Sequence, residues 1–325
     1  MRESAALGDI PTIDLAQSDD AIVPQIRAAC RDVGFFKLVG HGISHAERAE
    51  LYAASAQFFA LPLAEKRKVH TSTNTYNRGW TPLGEQIFQP DKQTQGDTKE
   101  GFYMGREIDS THALAGTPLH GPNVWPSNEA LPGFRRTMEA YFATVAGIAM
   151  RLVRLLAMSL GLQPGALDDK FQEPIQVLRL LHYSDQLSAV DDKGEGVFAC
   201  GEHTDWGVLT LLSTDETPGL QIRLKDGEWL TVTPQPDALI VNIGDQLERW
   251  TNGLYRSTPH RVLNTSGQER YSVPFFLEPS FHAVIECLPT CLQETGGVAL
   301  FPPTTCGEWL LAKHKGTHAE FASDK

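Results

Sequence analysis

After Gly161 the spacing of apolar residues in this chain shortens from near 3.6 to 2, a change of period that separates helix from half-buried strand. Runs alternating apolar and polar side chains recur at 176–183, 207–213, 219–224, 228–232, 238–243, 260–264, 270–277 and 282–287, with turn formers between them. No unit of strand followed by helix repeats among these runs. A doubly wound nucleotide-binding sheet is therefore disfavoured, and the chain also lacks G-x-G-x-x-G and G-x-x-x-x-G-K-S/T segments. The pattern predicts a sandwich or jelly-roll barrel of short strands.

The amino-terminal half reads differently. An edge strand is expected over 10–15 and a helix from Asp20 to Val33, followed by a strand from Phe35 to Val39 that Gly40-His41-Gly42 stops. Ser44 and Glu47 have the spacing of a capping box and open a helix through Phe58-Phe59. Between 71 and 130, glycines and prolines break every periodic run, which suggests a lid or pocket wall. The strongest helix runs from about Pro132, placed in its first turn, to Leu160. A further helix is expected over 308–314.

Charge narrows the partners. The net charge of -12, from 28 Lys+Arg against 40 Asp+Glu, argues against nucleic acid and against an anionic membrane surface. No window approaches eighteen uninterrupted apolar residues, and Met1 to Asp9 contains no cationic stretch leading into an apolar core. Five cysteines without paired spacing read as reduced thiols, which fits a cytoplasmic setting.

The chemistry sits in the β-rich half. In an extended Gly201-Glu202-His203-Thr204-Asp205, His203 and Asp205 share one face. His260, at the start of a later strand, can complete a set of two imidazoles and one carboxylate, the arrangement of non-haem Fe(II) oxygenases with open coordination positions. Arg270 and Ser272 likewise share a face and offer a guanidinium and a hydroxyl to one carboxylate. On 176–183 the alternation sets Arg179, Leu181 and Tyr183 on one face and Leu178, Leu180 and His182 on the other. Cys200 with His203 is too little for structural zinc, and His41, His45, His70, His112, His182, His314 and His318 are read as packing or solvent-facing residues.

Taken in order, these segments resemble the Fe(II)- and 2-oxoglutarate-dependent dioxygenases, in the branch of isopenicillin N synthase. The resemblance spans nearly the whole chain, from Ile10-Pro11-Thr12-Ile13-Asp14-Leu15 and Gly34-Phe35-Phe36 through Arg78-Gly79-Trp80 and Asp97-Thr98-Lys99-Glu100. It continues in His203-Thr204-Asp205, Val241-Asn242-Ile243-Gly244-Asp245, Ser257-Thr258-Pro259-His260-Arg261-Val262, Arg270-Tyr271-Ser272 and Phe275-Phe276-Leu277-Glu278-Pro279. It implies a mainly β fold with α: a double-stranded β-helix, or jelly roll, flanked by N-terminal helices. An N-terminal region 1–130 and a region 131–325 holding the long helix and the jelly roll would form one functional unit.

The same resemblance implies that His203, Asp205 and His260 hold Fe(II), that Arg270 and Ser272 hold the far carboxylate of 2-oxoglutarate, and that Tyr183 adds a hydrogen bond there. O2 is the oxidant, ascorbate can serve as reductant, and a C–H bond of a small molecule is oxidised with release of succinate and CO2. No protein partner is implied. Many members carry Asn where this chain has Leu181, so Arg179 either replaces a contact to the co-substrate or faces the substrate. Glu85, Tyr103, Arg179 and Phe276 are the candidate substrate residues and suit a polar or zwitterionic compound with an apolar part, of secondary-metabolite or amino-acid-like kind. The alternatives are an iron oxidase on this scaffold that does not use 2-oxoglutarate, and a catalytically silent binding protein.

Overall fold

The computed structural model describes residues 8–317, so His318 lies outside the described residues. The helices are α1 (Asp19–Asp32), α2 (His45–Phe59), α3 (Leu63–Lys68), α4 (Phe134–Ser159), α5 (Asp245–Trp250), α6 (Pro289–Glu294) and α7 (Cys306–Thr317). The first strands are β1 (Thr12–Asp14), β2 (Phe35–Val39), β3 (Gly79–Thr81), β4 (Lys99–Gly105), β5 (Pro174–Tyr183), β6 (Ala189–Val190), β7 (Gly196–Val197) and β8 (Cys200–His203). The rest are β9 (Leu209–Thr214), β10 (Leu220–Arg223), β11 (Trp229–Thr231), β12 (Leu239–Ile243), β13 (His260–Val262), β14 (Arg270–Ser280), β15 (Val284–Ile285) and β16 (Thr304–Thr305).

Two sheets carry the fold. The larger runs β1-β2-β12-β9-β14-β5-β4-β3 and the smaller β11-β10-β13-β8. Apart from the parallel β1–β2 pair, their neighbours are antiparallel. Strand alternation divides the core into two layers. Phe36, Phe102, Leu178, Leu180, Leu211, Val241, Phe275 and Leu277 face the helices, where the stripe Met138, Val145, Leu152 and Leu156 of α4 covers them. Phe35, Leu181, Tyr183 and Ile240 point the other way and meet Ala199, Leu220, Ile222 and Val262 from the smaller sheet's side. The expected jelly roll and N-terminal helices are what the chain forms.

Most expected elements are present, including the Ser44–Glu47 capping box in both its hydrogen bonds. Three differ. The helix expected from Pro132 begins at Phe134, because Gly133 at φ +78° turns the chain in a left-handed conformation that favours glycine, leaving Pro132 outside the first turn. In the run 282–287 only Val284–Ile285 forms a strand, and it pairs with β16 instead of joining the barrel.

The third difference lies in the segment 71–130, where β4 is a seven-residue strand buried at every position, between β3 and β5. Gly105 marks close packing there, since a Cβ would lie 2.2 Å from Nη2 of Arg78. Together β1 to β4 extend the same sheet that holds β5, β9, β12 and β14.

Candidate active site

The smaller sheet sets the histidines opposite one another, with His260 of β13 in register with His203 of β8. Strand β8 ends at His203, and Asp205 belongs to the turn that follows, yet it faces the same space. One donor atom from each of the three lies within 4.8 Å of the others. His203 Nε2 is 3.9 Å and His260 Nε2 3.7 Å from Asp205 Oδ1.

Hydrogen bonds behind the three side chains fix which atoms face inward. His203 Nδ1 lies 2.8 Å from the carbonyl of Gly201, and His260 Nδ1 lies 3.1 Å from that of Thr258. A carbonyl only accepts, so each Nδ1 carries the proton and each Nε2 presents a lone pair. Burial pushes both imidazoles below their ordinary pKa, towards the neutral form that a metal requires. Asp205 Oδ2 accepts from Thr210 Oγ1 at 2.6 Å and Asn242 Nδ2 at 2.7 Å, which leaves Oδ1 to face the histidines. Burial alone would raise this carboxyl, but the two imidazoles and then these donors outweigh it and hold it below the usual range.

The inner face of β5 and β14 continues the site in both directions. At one end Arg270 pairs with Tyr183, its guanidinium 4.9 Å from the Tyr183 ring, and Nε donates to the carbonyl of Thr217 at 3.2 Å. Arg270 Nη1 and Ser272 Oγ are buried without a partner. Such atoms are costly unless something completes their hydrogen bonds, and both residues line a cavity that also holds Asp205 and His260. Three lone-pair donors on one side and an unpaired guanidinium and hydroxyl on the other fit a divalent metal and a dicarboxylate.

Two family matches cover the chain, residues 10–128 to the N-terminal region described as "non-haem dioxygenase in morphine synthesis" and residues 174–279 to the 2OG-Fe(II) oxygenase superfamily. A 2-oxoglutarate-Fe(II) type oxidoreductase of Emericella nidulans is 36% identical over 302 residues, 91% of this chain and 85% of its own length. A homoarginine-6-hydroxylase of Arabidopsis thaliana is 35% identical, over 90% of this chain and 88% of its own. The chain belongs to the 2OG-Fe(II) oxygenase superfamily. Among solved structures, a full-length Neurospora crassa protein in complex with alpha-KG, which is 2-oxoglutarate, superposes with a TM-score of 0.82 at 27% identity, covering 97% of this chain and 98% of that one. The protein is thus a 2-oxoglutarate-dependent dioxygenase that uses Fe(II) and acts on a small molecule.

At the other end of the oxygenase's inner face lies a second cavity, which shares His203, Asp205, Arg179 and Phe276 with the first. Tyr103 and Arg179 line it together, and Arg179 donates to Gln86 Oε1 at 3.1 Å and to the Tyr103 hydroxyl. Arg179 lines both cavities. Glu85 does not line this cavity: it is exposed and faces His70 Nε2 at 3.4 Å, and the next residue, Gln86, points inward instead. In an irregular segment no period tells which of two neighbours turns in.

Several residues of the oxygenase's site carried no signal of their own. Phe88 stacks on His203 at 4.3 Å between ring centroids, and Phe35 meets His260 edge-on at 5.3 Å. Lys99 is buried beside Asp97, within 3.4 Å of Cys200 Sγ; burial alone would lower its pKa, but Asp97 more than offsets this and keeps the ammonium charged. Leu310 and His314 of α7 line the second cavity, and Trp309 Nε1 donates to the carbonyl of Trp206 at 3.1 Å. Glu278 also lines it, with burial pushing its carboxyl up to about 8.

Proposed function

We propose that the enzyme oxidises a C–H bond of a small molecule with His203, Asp205 and His260 holding Fe(II), Arg270 and Ser272 holding the far carboxylate of 2-oxoglutarate, and Tyr183 adding a hydrogen bond there. When bound, these two groups supply an oxidation in which O2 is consumed and 2-oxoglutarate is converted to succinate and CO2. The chain's own part is positional. Gly201 and Thr258 carbonyls hold the imidazole tautomers, and Thr210 with Asn242 fixes the carboxylate rotamer. Phe88 and Phe35 brace the ligating rings. Tyr103, Phe276 and Leu310 give the substrate side an apolar lining that favours excluding water from the reacting bond.

The observation that carries this reading is the buried, unpaired Arg270 Nη1 and Ser272 Oγ, in the cavity that Asp205 and His260 also line. Anaerobic addition of Fe(II) and 2-oxoglutarate should give a visible charge-transfer band that Asp205→Ala abolishes. Once substrate and O2 are admitted, succinate should form in proportion to substrate oxidised. An iron oxidase that does not use 2-oxoglutarate would consume O2 and release no succinate. The five free thiols support the reducing, cytoplasmic setting that Fe(II) suits.

A further inference from the structure

We infer that Glu278 is a substrate-specificity residue, and that the substrate carries both an acidic group and a cationic nitrogen, the nitrogen pairing with Glu278. This goes one step beyond the oxygenase reading and rests on it. Glu278 is buried on β14, facing the substrate cavity beside the metal-ligand set. Its Oε2 has no hydrogen-bond partner, and among the described residues it makes no ion pair. Room for its side chain is kept by Gly207, where a Cβ would sit 2.9 Å from Glu278 Cγ and 3.0 Å from Oε1. The charge of Arg78 only partly offsets the burial of this carboxyl, and a ligand bringing a donor to Oε2 removes the remaining cost.

The cation cannot come alone. Arg78 and Arg179 line the same cavity. Arg78 is held by the carbonyls of Tyr76, Asn77 and Leu119 and feels the charges of Glu107 and Glu278, but among the described residues neither guanidinium lies in an ion pair with a carboxylate. The lining apart from the metal ligands is therefore net positive, which repels a simple cation and favours a molecule that also carries an anion. Arg179 is the group for that anion: its Nε is buried and unpartnered, and its guanidinium lies over the Tyr103 ring at 4.2 Å.

The two charges have separate places on one face. The β5–β14 register sets Arg179 opposite Pro274, four residues from Glu278. At strand rise that is about 13 Å between Cα positions. Phe276 and Val177 lie between them, offering an apolar floor to the middle of the ligand. An apolar substrate would leave the Arg179 guanidinium and the Glu278 carboxyl unmet.

The test is calorimetric binding to anaerobic enzyme loaded with Fe(II) and 2-oxoglutarate. The probes are ω-amino and ω-guanidino carboxylates of graded chain length, each paired with the alkyl carboxylate in which a methyl group replaces the cation. At least one cationic member should bind ten-fold or more tightly than its uncharged counterpart. Glu278→Gln should erase that difference while leaving the alkyl carboxylate's affinity in place, and Glu278→Asp should keep part of it. Failure of every cationic probe to outbind its counterpart, or a preference that persists in Glu278→Gln, overturns the inference. Calorimetry reads the pairing whether or not the charge-transfer band forms, so an absent band would count against the oxygenase reading and not against Glu278.

Discussion

At the scale of single residues the site is a set of polar atoms with one direction left open, and its energetics follow from what each atom lacks. Arg270 is half-satisfied by the Thr217 carbonyl, and its Nη1 waits for an anion. Hydrogen bonds to charged groups contribute about 1.5–3 kcal/mol, so Arg270→Gln should raise the 2-oxoglutarate concentration needed for half-saturation by about 10- to 100-fold. Ser272→Ala removes a weaker donor and should cost only several-fold, both read by titrating the visible band. Glu278 gives a prediction of a different kind. Its folded carboxyl holds its proton up to about 8 against 4.5 for the free group, so folding favours the protonated form and stability is lost as pH rises between those values. In metal-free protein, Glu278→Gln should therefore change little near pH 4.5 and stabilise by a few kcal/mol, at most about 5, near pH 8, measured by denaturant unfolding at both. A period of two paired His203 with Asp205 and Arg270 with Ser272 in the sequence, whereas His260 stood only as a candidate third ligand on another strand and Tyr183 rested on the family resemblance. Glu278 was not legible, since a lone acid among apolar strand residues looks the same whether it faces water or a cavity.

Elements were legible where one periodicity dominates and illegible where packing overrides it. The stripe of α4 and the alternation of β5 could be read directly, because α4 buries one stripe against a single layer and β5 divides its side chains between two. Strand β4 hid behind Gly101 and Gly105, which look like breakers in sequence but serve close approach in the sheet. What holds β4 to the site is also invisible to periodicity. Asp97, fully buried, pairs with Lys99 and accepts from Gln93 Nε2 at 2.7 Å and from the Gly201 backbone at 3.0 Å, tying the loop that carries Phe88 to strand β8. Breaking one partner of a buried pair leaves the other uncompensated, so Asp97→Asn should destabilise by about 3–5 kcal/mol. Lys99→Met in the same chain should recover part of that loss, because it removes the stranded charge. A urea series on wild type, single and double variants measures the difference; a double variant no more stable than Asp97→Asn would show that Lys99 is not what makes the loss large.

For the whole molecule, topology decides what can come apart. The sheet that presents Arg270, Ser272 and Tyr183 is completed by β1 to β4, and β2 lies beside β12, which supplies Asn242 to the metal carboxylate. An N-terminal region so woven into the sheet shares its core with the jelly roll, and thermal unfolding should show one cooperative transition, not two. Ligand linkage then gives a separable reading of the two half-sites. Mn(II), a redox-inert stand-in for Fe(II), at about a hundred times its dissociation constant should stabilise by about 2.7 kcal/mol. For a chain longer than 250 residues each kcal/mol moves the midpoint by only about 1–2 °C, so the expected rise is about 3–5 °C. Adding 2-oxoglutarate should raise it again only when metal is present, since its keto end has no partner otherwise. Asp205→Ala should lose both increments and Arg270→Gln only the second. If 2-oxoglutarate shifted the midpoint equally with and without metal, the carboxylate site would be independent of the triad, and the single continuous cavity face running from Arg270 to Glu278 would not act as one site.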